Sequence, residues 1–463
     1  MNRIKIPSVL KKMNCIFEGA GFQAYLVGGA VRDMMMQKPA ADWDVATDAA
    51  PRQVMALFRR VIPTGIAHGT VTVHFMGKEV EVTTFRTERG YSDGRRPDSV
   101  AYAATIGEDL SRRDFTMNAV AAALSDGAVV DPFGGRVDIQ RKVIRTVGSP
   151  LERFSEDGLR PVRAIRFAAQ LGFEIERETA AAIADEAVLK VTAGISAERF
   201  RDELMKMLAA EKPSAALRLM ERTGILRLFL PELADCRGCV QSDGRGFHDF
   251  DVLDHLFYAC DGAPKEKPSV RLAALLHDIG KPAARAVKQA PDGGELYTFY
   301  NHERISAQMA ERLLSRLRFP NSTTASVCHL VENHMFHYEH GWSDAAVRRF
   351  LARVGADCVG DLFDLRLADM YGMHGTPVRL HDSAACALLL ELKDRIEGVL
   401  RQNAALDVKS LAVNGTDLMQ AGIPAGRQLG GILRELLEAV LEDPAQNERE
   451  ALLEMAKRIY ARG

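Results

Sequence analysis

The stretch LVGGAVRDMMMQKPAADWDVATDA, residues 26–49, decides the fold of the N-terminal part of this chain. The apolar residues at its start, Tyr25–Val27, predict a short buried strand that ends at Gly28 and Gly29. Two adjacent glycines let the backbone approach a ligand closely, and they leave amide N–H groups free to face phosphate oxygens. The basic residue Arg32 follows this turn. We therefore expect a phosphate group to bind here.

Two carboxylates, Asp42 and Asp44, follow in the extended segment DWDVAT. In a strand, residues i and i+2 point to the same face, so these two side chains would lie next to each other. Like charges at that distance are unfavourable unless a cation lies between them, and oxygen ligands favour Mg²⁺. A phosphate-binding turn beside a dicarboxylate metal site predicts nucleotidyl transfer.

A third carboxylate comes from two further strands, predicted over Thr70–Phe75 and Glu79–Phe85 and joined by a turn at Met76–Lys78. Glu79 and Glu81 share one face of the second strand. Glu81 is our choice for the site, and the alternative is that this face is simply solvated.

The composition limits the class of protein. The 463-residue chain is long enough for several domains, and its 47% hydrophobic content allows each a core. Its net charge is −2 and its pI is about 6.7, so nucleic acid would be bound by local basic patches. Seven cysteines, an odd number, indicate a reducing compartment. Because no apolar run is long enough to span a membrane, we expect a cytoplasmic protein with no membrane partner.

Two further segments predict parts of an anion site. Thr87–Thr105 is rich in Gly, Ser, Asp, Arg and Pro, which is typical of a mobile functional loop or of a disordered segment. The segment Asp109–Ala119, DLSRRDFTMNA, leads into an alanine-rich run that predicts a helix. Arg112 and Arg113 would lie near the start of this helix, where free N–H groups also favour anions. The alternative is that both arginines are ordinary surface charges.

The remainder of the chain has a mainly helical pattern. Asp157, Arg160, Arg163 and Arg166 recur every three residues, which predicts that they lie along one ridge of a helix. Pro161 lacks a backbone donor, so we expect either a kink or a helix that begins near Pro161. An aspartate at the head of an arginine row favours a ligand site over a solvated basic face.

A second set of chemical residues lies on the helices predicted between residues 255 and 369. It consists of His255, the adjacent pair His277 and Asp278, His302, His334 and Asp369. A charged pair at the end of an apolar helix is unfavourable unless it is paired or binds a metal. Histidines and aspartates of neighbouring helices can converge on one or two metal ions and leave positions open for water and a phosphoester. We therefore expect a divalent transition metal or Mg²⁺ here.

The last segment, residues 406–463, predicts helices on either side of a glycine-containing turn before Arg427. Two interpretations remain open. The turn could hold a nucleic-acid phosphate, or it could serve only the packing of two helices.

Taken together, the motifs resemble those of the bacterial class II CCA tRNA nucleotidyltransferase and poly(A) polymerase family. The resemblance lies in GGAVRD and DWD (residues 28–44), EVTTFR (81–86), DLSRRDFTMNA (109–119), EDGLR (156–160), GISAERFRDE (194–203) and the C-terminal segment 415–453. In addition, LLHDIGKP (275–282) is similar to the HD metal-dependent phosphohydrolase insertion of some members. The resemblance covers nearly the whole chain.

This resemblance implies an α+β fold with four domains. A polymerase-β-like nucleotidyltransferase head with a small mixed sheet would cover residues 1–150, and a helical base-reading neck residues 151–235. A helical HD-type body would follow over residues 236–395, and a helical RNA-binding tail over residues 396–463.

The resemblance also implies roles for individual residues. The triphosphate would lie at Gly28, Gly29 and Arg32. Mg²⁺ would be bound by Asp42 and Asp44, with Glu81 as a further catalytic carboxylate. The nucleotide would also be bound by Arg113 and Asn118. Asp157, Arg160, Arg163 and Arg166 would read its base and phosphates. Cytosine and adenine both present an exocyclic amino donor beside a ring-nitrogen acceptor, which a carboxylate and a guanidinium complement. Guanine and uracil present the reverse pattern.

The expected reaction is the template-independent addition of C and A, by two-metal nucleotidyl transfer from CTP and ATP, to the 3′ end of tRNA. An A-adding specialist or a poly(A) polymerase is the alternative within the class, although Arg60–Val73 resembles the CCA-adding branch. From a different class, the HD region could be the main activity, as a phosphohydrolase acting on nucleotides or RNA ends. It could also be a second activity. A purely RNA-binding protein would leave Asp42 and Asp44 unexplained.

Overall fold

A seven-stranded sheet forms the centre of the N-terminal part of the chain. The structure is a computed structural model, and it describes residues 3–40, 42–66, 69–89, 99–241, 249–289, 295–376, 384–402 and 405–462. The strands up to residue 130 are β1 (Ala24–Val27), β2 (Trp43–Thr47), β3 (Val61–Gly65), β4 (Thr70–Phe75), β5 (Lys78–Thr84), β6 (Arg86–Arg89), β7 (Ser99–Tyr102), β8 (Ala121–Ala123) and β9 (Val129–Val130). The sheet has the order β3–β4–β5–β2–β1–β8–β9. Because β2 is antiparallel to β1 and parallel to β5, the sheet is mixed, and the predicted α+β fold class is confirmed.

The register of β2 places its carboxylate beside the glycine turn. Val27, at the end of β1, pairs with Asp44, and Asp44 pairs in turn with Glu81 of β5. Val45 and Val80 lie in the main hydrophobic core. Since side chains alternate along a strand, Asp44 and Glu81 both point to the opposite face of the sheet.

Helices cover the sheet and continue beyond it. In the first part of the chain they are α1 (Ser8–Gly19), α2 (Gly29–Met35), α3 (Pro51–Leu57), α4 (Ile106–Ser111), α5 (Gly135–Arg141), α6 (Pro150–Glu156), α7 (Leu159–Leu171), α8 (Arg177–Ile183), α9 (Glu186–Ala193), α10 (Ala197–Leu208), α11 (Pro213–Arg222), α12 (Ile225–Phe229) and α13 (Pro231–Ala234). The short strands β10 (Val143–Ile144) and β11 (Glu174–Ile175) form a parallel pair among them. The sheet packs on α1 through Leu10, Met13 and Phe17, none of which is exposed.

The alanine-rich run after Asn118 is a strand, so the helix predicted there was wrong. Thr116–Asn118 is a single 3₁₀ turn, and the alanines form β8, which pairs with β1. Ala121 and Ala122 have no exposed surface, so pairing and packing outweigh the helix propensity of alanine. Arg112 and Arg113 therefore follow the end of α4 and do not lie at a helix start.

The row of one aspartate and three arginines also departs from the prediction of a single helical ridge. α6 ends and α7 begins on either side of Asp157, which has an extended backbone. Pro161 is in the first turn of α7, where its missing N–H removes no helical hydrogen bond, so the expectation of a helix that begins near it is confirmed. A Cβ at Gly158 would lie 2.5 Å from the backbone oxygen of Val191, so a glycine is needed at this break.

The segment Thr87–Thr105, expected to be a loop, is a hairpin at its two ends. β6 pairs antiparallel with β7, and Thr105 then caps α4. The middle of the segment, residues 90–98, lies outside the described residues.

The C-terminal part is almost entirely helical. Its helices are α14 (Val252–Gly262), α15 (Pro268–Leu276), α16 (Lys281–Ala284), α17 (His302–Arg316), α18 (Asn321–Asn333), α19 (Asp344–Val354), α20 (Val359–His374), α21 (Ala384–Arg401), α22 (Gly415–Gln420), α23 (Arg427–Glu442) and α24 (Arg449–Tyr460). Between α16 and α17 lies an antiparallel hairpin of β12 (Ala286–Gln289) and β13 (Glu295–Thr298). The last three helices share a separate core around Leu418, Leu436 and Leu452.

The chain divides into two compact units. Residues 1–234 together with 316–318 form the first unit, and residues 235–315 together with 319–463 form the second. The finer division into head, neck, body and tail stays a prediction. In the described ranges, no helix combines the length and the apolar character that crossing a membrane would need.

Candidate active site and candidate metal centre

One cavity of about 1000 Å³ in the first unit, here called the cleft, is lined by all twelve residues that the sequence assigned to catalysis and nucleotide binding. They are Gly28, Gly29, Arg32, Asp42, Asp44, Glu81, Arg113, Asn118, Asp157, Arg160, Arg163 and Arg166. Along the described lining, cationic side chains outnumber acidic ones. An excess of positive charge around a small acidic cluster suits a polyanionic ligand that brings a divalent cation with it.

The acidic cluster consists of Asp42, just before β2, Asp44 within β2, and Glu81 of β5. Burial raises the pKa of the Asp44 carboxyl to about 6, and the Glu81 and Asp42 carboxylates add to this effect, whereas Arg113 opposes it. The shift means that the negative charges at Asp44 are not fully compensated by the protein. Such a set of oxygen ligands fits a divalent cation of the Mg²⁺ type.

Arg113 reaches the cleft from the end of α4 and is held by a buried carboxylate. Its Nη2 donates to Oδ2 of Asp109 at 3.2 Å, while Nε of Arg112 donates to Oδ1 of Asp109 at 3.0 Å. Burial raises the pKa of Asp109, which is 1% exposed, but the two guanidinium groups more than offset this and the pKa is lowered overall. Asp109 therefore stays ionised and fixes the direction of both arginines.

A chain of hydrogen bonds connects Arg32 of α2 with Arg163 of α7. Nη1 of Arg32 donates to Oδ1 of Asn118 at 2.9 Å, and Nδ2 of Asn118 donates to Oδ1 of Asp114 at 3.1 Å. Asp114 also accepts from Nε and Nη2 of Arg163, at 2.9 and 2.6 Å. Burial raises the pKa of Asp114, but Arg163 and Asn118 lower it to about 2. The ionised Asp114 thus holds two elements of the cleft in one arrangement.

The arginines of the cleft also gather around one aromatic ring. The Cζ atom of Arg166 lies 3.8 Å from the ring centroid of Phe167, and those of Arg32 and Arg163 lie 5.2 and 5.5 Å from it. Arg166 is paired with Glu203 as well. Cation–π contacts of this kind keep guanidinium groups in place without removing all their donors. Their free N–H groups form a positive surface for phosphate oxygens.

The two candidate base-reading side chains both have protein partners. Nη2 of Arg199 donates to both oxygens of Asp157, at 3.0 and 2.8 Å. Arg160 pairs with Glu156 and also donates to the backbone oxygen of Arg153 at 2.9 Å. A carboxylate has about four acceptor positions, so Asp157 can accept an amino hydrogen while Arg199 holds it.

Sequence reasoning missed the carboxylates and the arginine that orient these groups. They are Asp109, Asp114, Glu156, Arg199 and Glu203. All five lie inside the quoted motifs. Since a buried arginine needs an acidic partner, the arginine excess could have drawn attention to them.

Gly28 and Gly29 differ in how well their backbone and their neighbours tolerate a Cβ atom, and this difference gives a testable prediction. Gly28 has φ +69°, and a Cβ there would lie 3.1 Å from Nη1 of Arg113 and 3.4 Å from Oδ2 of Asp44. We expect Gly28→Ala to lower the free energy of unfolding by about 1–3 kcal/mol, because only glycine adopts this backbone without strain. It should also raise KM for the nucleotide by displacing Arg113. Denaturant unfolding and steady-state kinetics measure the two effects.

Gly29→Ala is the matched control for that substitution. Gly29 begins α2, and a Cβ there would meet only Nη2 of Arg32, at 3.5 Å. We expect its free energy of unfolding to stay within about 0.5 kcal/mol of the unmodified chain. Equal losses for the two variants would contradict the assignment of the strained position to Gly28.

The second unit brings the six predicted histidines and aspartates into one buried cluster, here called the His–Asp cluster. Its members, His255, His277, Asp278, His302, His334 and Asp369, are each at most 6% exposed. They include two groups whose ligand atoms are close enough to hold a metal ion, His255–His277–Asp278 and Asp278–His302–His334. Asp278 is the residue common to both groups.

The carboxylate of Asp278 divides its oxygens between two pairs of histidines. Oδ2 lies 3.4 Å from Nε2 of His255 and 3.4 Å from Nε2 of His277. Oδ1 lies 3.1 Å from Nε2 of His302 and 3.7 Å from Nε2 of His334. This arrangement has room for one ion on each side of a shared carboxylate.

Backbone carbonyls fix the rings of the second pair. Nδ1 of His302 and the oxygen of Phe299 are 2.7 Å apart, as are Nδ1 of His334 and the oxygen of Val331. A carbonyl oxygen only accepts, so each Nδ1 carries a hydrogen, and in the neutral rings the Nε2 lone pairs face each other at 3.3 Å. This orientation is typical of metal-ligating histidines and is unfavourable without a cation.

The charges of the cluster also fit a cation. Burial lowers the pKa of His277, but Asp278 and Asp369 outweigh it and raise the pKa to about 10. Two cations that sequence reasoning missed hold the carboxylates: Nζ of Lys281 lies 2.6 Å from Oδ2 of Asp278, and Nη1 of Arg366 lies 2.7 Å from Oδ2 of Asp369. The six residues together fit divalent metal ions, without fixing the element.

Comparison with protein families accounts for most of the chain. Residues 24–145 match the poly A polymerase head domain, and residues 172–237 match the probable RNA and SrmB-binding site of polymerase A. Residues 247–370 match the HD domain, and residues 374–456 match a tRNA nucleotidyltransferase domain 2. Nucleotidyltransferase and HD families usually use divalent metals, in agreement with the two acidic sites.

Relatives match over nearly the whole chain or over about half of it. The CCA-adding enzyme of Levilactobacillus brevis is 34% identical over 444 residues, which cover 94% of each chain. The CCA-adding enzyme of Geobacillus stearothermophilus is 49% identical over 214 residues, 46% of this chain and 52% of that protein. The crystal structure of the Bacillus stearothermophilus CCA-adding enzyme in complex with CTP has a TM-score of 0.73 at 28% identity and covers 98% of both chains. This chain therefore belongs to the CCA-adding enzymes, tRNA nucleotidyltransferases with a poly(A) polymerase head, and it carries an HD domain.

Proposed function

We propose that this protein adds C, C and A in sequence to the 3′ end of tRNA, using CTP and ATP and no nucleic-acid template. The observation that carries the proposal is the cleft, in which the carboxylates Asp42, Asp44 and Glu81 lie with arginines of the sheet domain and of α7. The names of the relatives support it, since the curated proteins that match over most of this chain are CCA-adding enzymes. A tRNA substrate also supports a cytoplasmic location.

In this proposal each group of the cleft has one task. Asp42 and Asp44, with Glu81 beside them, would hold divalent ions, of which one would activate the 3′-hydroxyl of the tRNA and the other would neutralise the triphosphate. Arg113 and Arg32 bind the triphosphate and stabilise the charge that develops on the leaving pyrophosphate. The network through Asp114 keeps these donors in place before the substrate arrives.

The neck residues select the base. Asp157 accepts the exocyclic amino group that cytosine and adenine share, and Arg160 donates to their ring nitrogen. Arg199 fixes the direction of the Asp157 carboxylate through two hydrogen bonds. Uracil and guanine would place a carbonyl oxygen against the carboxylate of Asp157, which disfavours them.

Incubation with three RNAs tests the activity. The substrates are tRNA that lacks CCA, tRNA that ends in CC, and an unrelated RNA, each with labelled CTP or ATP. We expect CTP and then ATP to be incorporated into the first, and only ATP into the second. ATP use confined to the CC-ended tRNA would instead identify an A-adding specialist, and a long A-tail on the unrelated RNA a poly(A) polymerase.

The base-selection step gives a second prediction. We expect Asp157→Asn to lower the ratio of kcat/KM for CTP to that for UTP by about 10- to 100-fold, because a hydrogen bond to a charged acceptor is lost. Single-nucleotide incorporation into tRNA lacking CCA measures the ratio. Arg160→Gln should relax the choice in the same direction. An unchanged ratio in both variants would contradict the base-reading role of this pair.

We further propose that the His–Asp cluster is a phosphohydrolase centre that acts on phosphate esters of nucleotides or RNA ends. The shared carboxylate of Asp278 and the opposed rings support two ion positions there. Bound metal ions would supply a hydroxide nucleophile and polarise the phosphoester. Lys281 positions Asp278 and provides a further positive charge for a phosphate oxygen. The ligand set fits Mg²⁺ or a divalent transition metal.

We also retain the division into a head (residues 1–150), a neck (151–235), a body (236–395) and an RNA-binding tail (396–463). The matches to the head, RNA-binding, HD and nucleotidyltransferase families fall in the same order along the chain and support this division.

A further inference from the structure

A hairpin lies next to the His–Asp cluster, and none of its side chains belongs to the cluster. It comprises residues 285–289 and 295–300, and it is here called the aromatic hairpin. At one end it follows α16, which begins with Lys281, the residue bonded to Asp278. At the other end it leads into His302, whose Nδ1 donates to the backbone oxygen of Phe299 at 2.7 Å. Both ends of the hairpin are therefore attached to the cluster.

The described part of the hairpin exposes side chains that usually pack in a core. Tyr300 is 68% exposed and Val287 is 56% exposed. All four residues of β12 are exposed to solvent. The exposed ring of Tyr300, close in the chain to the ligand candidate His302, offers a surface on which a flat apolar group can pack.

Cations accompany the rings of the hairpin. The Cζ atom of Arg285 lies 3.9 Å from the ring centroid of Tyr297. Nζ of Lys288 lies 5.1 Å from the ring centroid of Tyr300 and donates to its hydroxyl at 3.2 Å. Nζ of Lys281 lies 5.6 Å from the ring centroid of Phe299. Val287 pairs with Tyr297, and Lys288 is the next residue of its strand, so the Arg285–Tyr297 and Lys288–Tyr300 pairs lie on opposite faces of the hairpin. The Lys288–Tyr300 pair combines stacking surface with positive charge.

Asn301 connects Tyr300 to the metal-ligand candidate His302 through a turn of the backbone. Its φ is +59°, which places a residue other than glycine in the left-handed region. Asparagine adopts this region more readily than most residues, so it suits the turn at this position. Here the turn separates the exposed ring of Tyr300 from the buried ring of His302.

From this arrangement we infer that the aromatic hairpin is the binding surface for the base of the nucleotide whose phosphate ester enters the His–Asp cluster. Nucleobases stack on tyrosine rings regardless of sequence, and lysine and arginine bind the adjoining phosphates. The ligand chemistry is thus a base joined to a phosphate ester, as at the 3′ end of a single-stranded RNA or in a free nucleotide. This inference rests on the proposed phosphohydrolase centre and names its substrate class.

Hydrogen–deuterium exchange on the full chain tests the inference locally, so that RNA bound elsewhere does not interfere. The probe is a short single-stranded RNA with a 3′-terminal phosphorothioate, which resists hydrolysis. We expect the amides of residues 285–289 and 295–302 to be protected, with half-maximal protection at micromolar to millimolar RNA. Tyr300→Ala should raise that RNA concentration about 5- to 100-fold, since it removes one stacking ring. Tyr300→Phe, the matched control, keeps the ring and should change it by no more than about twofold.

Other probes separate the alternatives. A free nucleoside monophosphate that protects the hairpin as well as the RNA does would identify a nucleotide as the ligand, and weaker protection would identify an RNA end. The inference is overturned if Tyr300→Ala behaves like the unmodified chain, or if inorganic phosphate protects equally. Protection that rises with protein concentration in the absence of RNA would also overturn it, because the surface would then bind a second copy of this chain.

The failure of this inference is distinguishable from that of the proposed functions. CTP incorporation into tRNA reports on the cleft and should be unchanged in the Tyr300 variants. Release of phosphate from an RNA with an ordinary 3′-phosphate reports on the cluster. Ring-dependent protection without phosphate release would support the binding surface and contradict the phosphohydrolase proposal.

Discussion

Asp44→Asn is expected to lower kcat for CTP incorporation by roughly 10³-fold or more, since a metal ion in nucleotidyl transfer supplies several kcal/mol of transition-state stabilisation. The same variant should be no less stable than the unmodified chain. Burial and the carboxylates Glu81 and Asp42 raise the folded-state pKa of Asp44 to about 6, above its ordinary value of 3.8. The folded state therefore favours the neutral form, and ionisation as the pH rises through this window opposes folding. Asparagine removes that opposition.

Single-turnover incorporation and the Tm in the absence of Mg²⁺ measure the two effects. Glu79→Gln is the matched control, since Glu79 lies on the same strand as Glu81 but is mostly exposed and does not line the described cleft. Its kcat should change by no more than about twofold. An Asp44 variant that retains its activity, or that loses activity only because it unfolds, would contradict the metal-binding role.

Asp278→Asn is expected to weaken metal binding at the His–Asp cluster by at least about 100-fold, because residues that merely orient ligands already change affinity by about 10- to 100-fold. Its two oxygens face different histidine pairs, so both ion positions should be affected. Measurement of bound metal by mass spectrometry should show the loss of both ions. His302→Asn should remove only the ion of the second pair.

His337→Asn serves as the control for these variants. The side chain of His337 is 82% exposed and its Nε2 lies 3.0 Å from Glu339, away from the cluster ligands. It should keep the full metal content. A single ion in the unmodified chain, or equal metal content in the Asp278 and His337 variants, would contradict the shared-carboxylate arrangement.

Part of the site could be predicted from the sequence because it depends on patterns of neighbouring residues. The glycine turn and the carboxylates of β2 and β5 depend on strand alternation, which is a property of adjacent residues. Asp44 and Glu81 share a sheet face as this periodicity requires. The six His–Asp residues were found because charged groups on apolar helices need a partner or a metal.

The remaining features depend on contacts between distant segments. Asp114 bonds with Arg163, 49 residues later, and Arg166 pairs with Glu203, 37 residues later. No local pattern specifies such pairs. The alanines of β8 were assigned to a helix because their strand character comes from pairing with β1, about 100 residues earlier in the chain.

The position of a bound Mn²⁺ ion tests the central claim most directly. A crystal grown with CTP and Mn²⁺ should show an anomalous peak within about 2.0–2.3 Å of carboxylate oxygens of Asp42 and Asp44, in contact with the triphosphate. Arg113 and Arg32 should contact the same triphosphate. A peak confined to the His–Asp cluster, or a nucleotide bound away from β2, would contradict this account.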